Sequence, residues 1–254
     1  MIAYIIGIQF NKIMLNFSTI SQIRVAKEKT WNKKVFLTFD VDWAHDEVIE
    51  DTLSLLSNTD ISSTWFITHR SNSTMGLQDN KNIESAIHPN FNFLLDGAPK
   101  ENNLSATQVV EHMMEIVPDA KSSRSHSLTQ NERLVDLLYA SGITHLSNLF
   151  IPHNQKNIIF PFQLWDGVTV VPHCWQDNVS LKMRNPFPSV EILKNQFICL
   201  LFHPIHVFLN SESQTRYEKT RELHQRPREL IKHRFKGYGV RNCLKELIRR
   251  REVN

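Results

Sequence analysis

Asp40 and Asp42 are separated by a single valine in "VFLTFDVDW", where an apolar run gives way to polar sequence. Side chains in a strand alternate faces, so both carboxylates are expected on one side if the extended conformation persists to Asp42. Two like charges that close raise one pKa unless a cation intervenes. A divalent metal would resolve the conflict, with one carboxylate as ligand and the other free as a base. The plainer alternative is a pair of acids facing water at a strand end or capping the next helix. Histidines weigh against it: His88 in "IHPNFN", His126 in "RSHSL", His203 and His206 in "FHPIH". One histidine alone is usually a surface or hydrogen-bonded residue, but here three separate segments each offer one. An aspartate with two histidines suits zinc with a coordination position left for water. Water so bound ionises near neutrality, and a neighbouring carboxylate can complete the deprotonation.

The elements that must position these groups follow a simple alternation. "VFLTFDVD" reads as a strand, "DEVIEDTLSLLSNTD" as a helix with Val48, Ile49, Leu53, Leu55 and Leu56 on its apolar side, and "ISSTWFITH" as a second strand. "IESAIHPNF" predicts a short strand and "LLDGAPKENNLS" a loop. "SATQVVEHMMEIVP" predicts a helix capped by Ser105 and closed by Pro118. "LTQNERLVDLLYASG" predicts another, with Thr129 as cap, Glu132 three residues on and Gly142 at its end. "THLSN", "VTVVPHCW" and "QFICLLFHPIHVF" read as later strands, with a short helix at "SVEILKNQ". Alternating strands and helices predict a (β/α) barrel or a doubly wound sheet. In both, catalytic groups gather at the carboxyl ends of strands, where Asp40, Asp42, His88, His203 and His206 fall.

Composition supports this class. The 254 residues are 41% hydrophobic and 22% charged, as in an ordinary soluble domain. The three cysteines, Cys174, Cys199 and Cys243, are widely spaced and form no CxxC pair. That argues against a disulfide framework or a cysteine zinc site and suits a reducing compartment, so a cytoplasmic location is expected. The apolar start "MIAYIIGIQFNKIMLNF" has a core of about seven residues, whereas a membrane span needs roughly 20. It also lacks a basic n-region and a small-residue cleavage site, so residues 1–32 read as a strand or an extension of uncertain role. Charge is uneven: residues 216–254 hold 13 Lys/Arg against 5 Asp/Glu, a local +8, while the rest carries −5. Such a tail can meet phosphates, an anionic membrane surface or nucleic acid, or be a solvated helix face. No interleaved aromatics form a base-stacking platform, so nucleic acid is not expected. Val240, Leu244 and Ile248 form one helical stripe able to pack on the rest of the protein.

From about Val35 to Val207 the sequence resembles the polysaccharide deacetylase family (NodB-homology, carbohydrate esterase family 4), in particular a WbmS-like branch linked to lipopolysaccharide O-antigen synthesis. "TFDVDW" is similar to the family's "TFDD" opening with one residue inserted, "TWFITH" to the strand that follows, and "LLFHP" to its closing Leu-x-His motif. "RSHSL" sits where the family's arginine motif belongs, and "PHCWQDN" near its Asp/Trp motif. The resemblance implies a single α/β domain, a distorted (β/α) barrel of about seven parallel strands. It implies catalysis over residues 33–210; residues 211–254 lie beyond it and read from their own charge and apolar stripe as a basic, mainly helical segment packing on the same domain. Asp40 would be the base, Asp42 a metal ligand, His203 the general acid, Arg124 the group orienting Asp40, and Asp177 the partner of His203. Trp175 would line the pocket, and Trp43, Asn90 and His206 are further candidates for contact with sugar.

The family's second motif, His-Ser/Thr-x-x-His, is reduced here to His88, with Asn92 where a second histidine would stand. The third ligand is then Asn92 or His126, or there is no metal; His126 is the better zinc ligand and is preferred. The one-residue insertion also leaves open which aspartate is base and which is ligand. The implied chemistry is zinc-dependent (or other divalent metal) hydrolysis of an N- or O-acetyl group on a glycan or lipid-linked sugar precursor. Two rivals remain: a deacetylase-like sugar-binding module without activity, and a DxD glycosyltransferase. The second would need a nucleotide-binding half, and only about 39 residues precede Asp40. The basic C-terminal segment is a candidate for peripheral membrane contact.

Overall fold

The computed structural model describes residues 14–95, 104–153, 158–183 and 197–251. Its centre is β2 (Lys34–Asp40), a seven-residue strand buried from Val35 onward. Around it the chain builds a curled ten-stranded sheet. β1 (Asn16–Ser18) pairs with the first half of β2, β3 (Ser63–Ile67) with its second half, and β10 (Ile198–Phe202) with its other edge. β4 (Ile83–Ile87), β5 (Ser122–Ser123) and β6 (His145–Leu146) continue outward from β3. β8 (Thr169–Val170) follows β6, while β9 (Trp175–Gln176) lies beyond β10. All pair in parallel except β7 (Phe162–Gln163), which runs antiparallel to β8. The curled, mostly parallel sheet is consistent with the distorted (β/α) barrel that the family resemblance implies, rather than with the doubly wound sheet that the alternation of elements also allowed. The segment "SVEILKNQ" and most of the "LLDGAPKENNLS" loop lie outside the described residues.

Alternation along β2 divides the core in two. Val35, Leu37 and Phe39 face the main apolar cluster, to which the helices contribute. These include α1 (Asp46–Leu53), α3 (Ala106–Ile116), α4 (Glu132–Ala140) and α6 (Pro204–Leu209). Phe36 faces a smaller cluster with Phe66, Ala86, Val171, Phe197 and Cys199, joined by Ile20 and Ile23 from the N-terminal segment. That segment is therefore part of the domain. Its backbone is held by inward-facing polar residues: Ile20 N donates to Thr64, Ser21 N to Glu84, and His145 Nε2 meets Ile23 O at 3.0 Å. Above this apolar plug, Thr38 and Asp40 follow Phe36 on the same face, so the chemistry sits at the carboxyl end of the strand.

Caps fix the helices near the site. His45 Nδ1 accepts from Glu47 N at the start of α1, and Ser105 and Gln108 form a reciprocal capping box on α3. α4 is capped by Asn131, which accepts from Leu134 N, rather than by Thr129. Thr129 instead donates to Asn92 Oδ1. Gly142 closes that helix with φ +92°, as its position in the sequence suggested. In the C-terminal segment, α7 (Gln214–Lys219) and α8 (Pro227–Leu230) lead to α9 (Val240–Ile248). Val240, Cys243, Leu244, Leu247 and Ile248 of α9 are all buried. Leu15 N donates to Arg250 O at 2.7 Å, so the start of β1 and the end of α9 meet.

Candidate active site

Asp40 and Asp42 do converge, but not by strand alternation. β2 ends at Asp40, and Asp42 and Trp43 both take left-handed backbone conformations, with φ +47° and +55°. Such angles are uncommon outside glycine, tolerated by aspartate and strained for tryptophan. Neighbouring groups hold the turn: Val41 N donates to Phe66 O, Trp43 N to Thr68 Oγ1, and Ala44 N to Val41 O. The turn swings Asp42 back over the strand end. Strain of this kind clusters at functional sites.

Asp42 Oδ1 lies 3.1 Å from His88 Nε2 and 3.1 Å from His126 Nδ1. One donor atom from each of these three residues falls within 4.8 Å of the others. His88 follows β4 directly, its N–H bonded to Ile67 O. His126 sits on a tight loop after β5 in which Ser127 and Leu128 are also left-handed. Asn92 braces that loop, donating to Ser127 Oγ and accepting from Thr129 Oγ1. Both ends of its amide are thereby engaged by the loop. Burial opposes ionisation of Asp42, but hydrogen bonds from His126 and His88 and the nearby His203 charge hold its carboxyl well below the usual range. The His126 pKa is raised, chiefly by its hydrogen bond with Asp42. An oxygen and two imidazole nitrogens at this spacing are a donor set that fits zinc.

Two supported groups flank the set. Arg124, fully buried after β5, donates from Nη1 to Asp40 Oδ1 at 2.7 Å and to Thr38 Oγ1. Its Nε and Nη2 go to the backbone oxygen and hydroxyl of Ser147, and its guanidinium lies 4.3 Å over the Phe66 ring. Asp40 Oδ2 is 3.9 Å from His88 Nε2. On the opposite side, Asp177 at the start of α5 (Asp177–Met183) takes His203 Nδ1 at 2.5 Å and His203 N at 2.7 Å. His203 Nε2 is left facing Asp42 Oδ2, 3.5 Å away. Burial disfavours the His203 cation, but the Asp177 carboxylate outweighs it and the pKa is pushed up to about 10. Asp177 is correspondingly held low despite its burial.

The remaining candidates are placed as follows. Trp43 is 41% exposed and stands edge-on to His126 at 5.1 Å. Asn90 accepts from Asn92 N and lines an apolar groove with Trp43, His88, Val109 and Met113. His206 is buried under His203, bonded to Ser211, and its pKa is lowered by burial to about 4. Trp175 departs from the expectation of a pocket wall: it is 2% exposed and packs on Phe202 at 4.9 Å, beneath the site. It is a bulky apolar residue at the edge of a parallel sheet, and packing claims its ring. Four polar residues were not anticipated. Gln214, Tyr217, His224 and Gln225 line a pocket of about 210 Å³ beside Asp42 and His203. They lie in the basic C-terminal segment, and no motif spacing signals them.

Among known proteins, the family of WbmS-like polysaccharide deacetylases matches over residues 37–221. A crystal structure from Bordetella bronchiseptica, of a protein described as a polysaccharide deacetylase involved in O-antigen biosynthesis, is 33% identical. It covers 93% of this chain and 98% of its own, with a TM-score of 0.87. A CE4 family pseudoenzyme from Bacillus anthracis is 15% identical over 87% of this chain and 67% of its own; at a TM-score of 0.42 that likeness carries no argument. No curated protein matches the sequence at a significant level. The chain belongs to the WbmS-like polysaccharide deacetylase family.

Proposed function

We propose that the protein is a metal-dependent hydrolase that removes an acetyl group, from nitrogen or oxygen, on a sugar of an O-antigen or related glycan precursor. The observation carrying this reading is the convergence of Asp42, His88 and His126 between two separately supported groups, Asp40–Arg124 and His203–Asp177. Asp42, His88 and His126 would hold a divalent cation such as zinc. Bound there, the cation supplies a Lewis acid for the acyl carbonyl and lowers the pKa of water.

The chain's own residues divide the proton work. Arg124 fixes the Asp40 carboxylate at the strand end, where it takes the proton of the attacking water. Asp177 holds the His203 ring by Nδ1, so that Nε2 faces the reacting centre and gives a proton to the departing amine. The Asp177 carboxylate raises the His203 pKa, which favours the protonated ring that an acid requires. Trp43, exposed next to His126, offers a face to the sugar. The three free cysteines fit a cytoplasmic precursor as substrate, and among the described residues no helix is long and apolar enough to cross a membrane.

The test is acetate release from acetylated glycans by zinc-loaded protein, together with metal content by elemental analysis. Near one zinc per chain with acetate release is expected. Metal binding without hydrolysis of any acetylated sugar would favour a sugar-binding module instead.

A further inference from the structure

The polar pocket beside His203 is walled by two parts of the chain far apart in sequence. One wall is the left-handed turn carrying Asp42 and Trp43; the other is the C-terminal segment, of which His224 and Gln225 lie beyond the family match. Gln225 Nε2 donates to Trp43 O at 2.9 Å and clasps the two together. Behind the clasp, the Tyr217 ring lies 4.9 Å from His206 and 4.7 Å from His224, a continuous aromatic side. His224 is in turn held by Thr220 Oγ1 at 3.3 Å. Gln214 adds a buried amide oxygen with no hydrogen-bond partner. Aromatic rings beside amides are what a pyranose, with its apolar faces and polar rim, requires.

We propose that this pocket is a subsite for a chain-terminal sugar. It takes the single pyranose that bears the acylated nitrogen or oxygen, and the Trp43–Gln225 clasp blocks a glycan that continues past it. The inference rests on the deacetylase reading: His203 protonates the leaving group, so the sugar carrying that group lies on the His203 side. Size points the same way. The volume of about 210 Å³ is below the roughly 300–1,000 Å³ of pockets that enclose drug-sized ligands, room for one ring and not for two. The substrate class is therefore a glycan or glycosyl carrier acted on at its outermost residue.

The experiment uses full-length, zinc-loaded protein and tetra-N-acetylchitotetraose, with products sequenced by tandem mass spectrometry. Wild type is expected to remove one acetyl group, from a terminal ring. Gln225→Ala and His224→Ala, which open the clasp and its support, are expected to shift at least a tenfold greater share of deacetylation to internal rings. A substitution that only damages the fold lowers the total without moving the position. Internal deacetylation by wild type, or an unchanged product pattern in both variants, would overturn the proposal. If no acetate is released from this or any other acetylated sugar, the deacetylase reading fails separately. The subsite is then judged by saturation-transfer NMR with the same tetrasaccharide: saturation confined to a terminal ring supports it, and even saturation along the chain, or none, rejects it.

Discussion

Arg124 and Asp40 form a buried ion pair at 2.7 Å whose cation is fixed on its other edges by Ser147. The pair joins β2 to β5, two strands that do not pair directly. It also keeps the carboxylate oriented.

Removing the cation leaves a buried, uncompensated carboxylate. Arg124→Met and Asp40→Asn each leave one buried charge without its partner, and each is expected to cost about 3–5 kcal/mol of stability. Urea denaturation of both variants measures this. On the proposed role as general base, Asp40→Asn should also lower kcat by about 10²–10⁴-fold while remaining folded. Equal activity in the Asn variant would remove Asp40 from the mechanism.

Metal binding separates the candidate third ligands. Asp42→Ala and His126→Ala are each expected to lose most bound zinc, whereas Asn92→Ala should keep it, because the Asn92 amide is taken by Ser127 and Thr129. At free zinc about 100-fold above Kd, binding stabilises the fold by about 2.7 kcal/mol. Chelation should therefore lower Tm in wild type and leave Asp42→Ala unchanged. Zinc retained in His126→Ala would reassign the site.

Acid should destabilise the protein through His206. Burial lowers its pKa to about 4, against 6.5 for an ordinary histidine. Between those values the unfolded chain binds a proton that the native state refuses. The contribution is fully present above pH 6.5 and is lost as pH falls from there towards about 4, amounting to about 3 kcal/mol. His206→Gln should narrow the difference in urea midpoint between about pH 7.5 and pH 4.5. An identical difference in the variant would contradict this.

The basic C-terminal segment cannot be tested by deletion. α9 buries five residues, and Arg241 and Arg234 both pair with Asp51 of α1. Truncation before Val240 is expected to unfold the protein in thermal melts. Membrane contact is instead tested with the exposed Lys232, Lys236 and Arg249 changed to Glu. If this face meets anionic lipid, sedimentation with phosphatidylserine vesicles should fall, by about 1 kcal/mol per charge removed. Unchanged sedimentation would confine the segment to packing and the substrate pocket.

The close approach at Gly239 gives a stability test away from the site. A Cβ there would stand 2.1 Å from the carbonyl oxygen of Asn210, a left-handed residue whose side chain also binds the backbone at Phe235, Gly237 and Arg241. Gly239→Ala should cost about 1–3 kcal/mol through displaced backbone. A melt indistinguishable from wild type would show that the loop yields freely.

The legible parts of the site were those where residue type and strand ends coincide. His88, His203 and the two aspartates each stand where an apolar run stops, which places them at one end of a parallel sheet, whereas His126 follows the polar stretch "KSSRS" and was singled out only by its residue type and motif. The turn at Asp42 and Trp43 was not legible, because neither residue is a glycine and alternation gave the right side for the wrong reason. Trp175 was misplaced because a tryptophan serves equally as core and as sugar platform, and only the neighbouring Phe202 decides. Thr129 was read as a cap because cap and brace require the same hydroxyl; Asn131 was the better acceptor two residues on. Tyr217, His224 and Gln225 reach the site only through the return of the C-terminal segment across the sheet end, a long-range event with no local signature.

The contact between Leu15 and Arg250 has a topological consequence. The two ends of the described chain lie side by side but run parallel, so a linker from Arg251 to Leu15 that closed the backbone into a ring would have to loop back along the pair rather than make a tight turn. The chain could then be reopened at the exposed Ser57–Asn58 turn, giving a circular permutant in which β1, β2 and α9 are contiguous in sequence. In that molecule β2, Asp40 and Asp42 would lie near the new carboxyl terminus, and the two aspartates would be the last of the site residues to be synthesised instead of the first, while the site's geometry stayed the same.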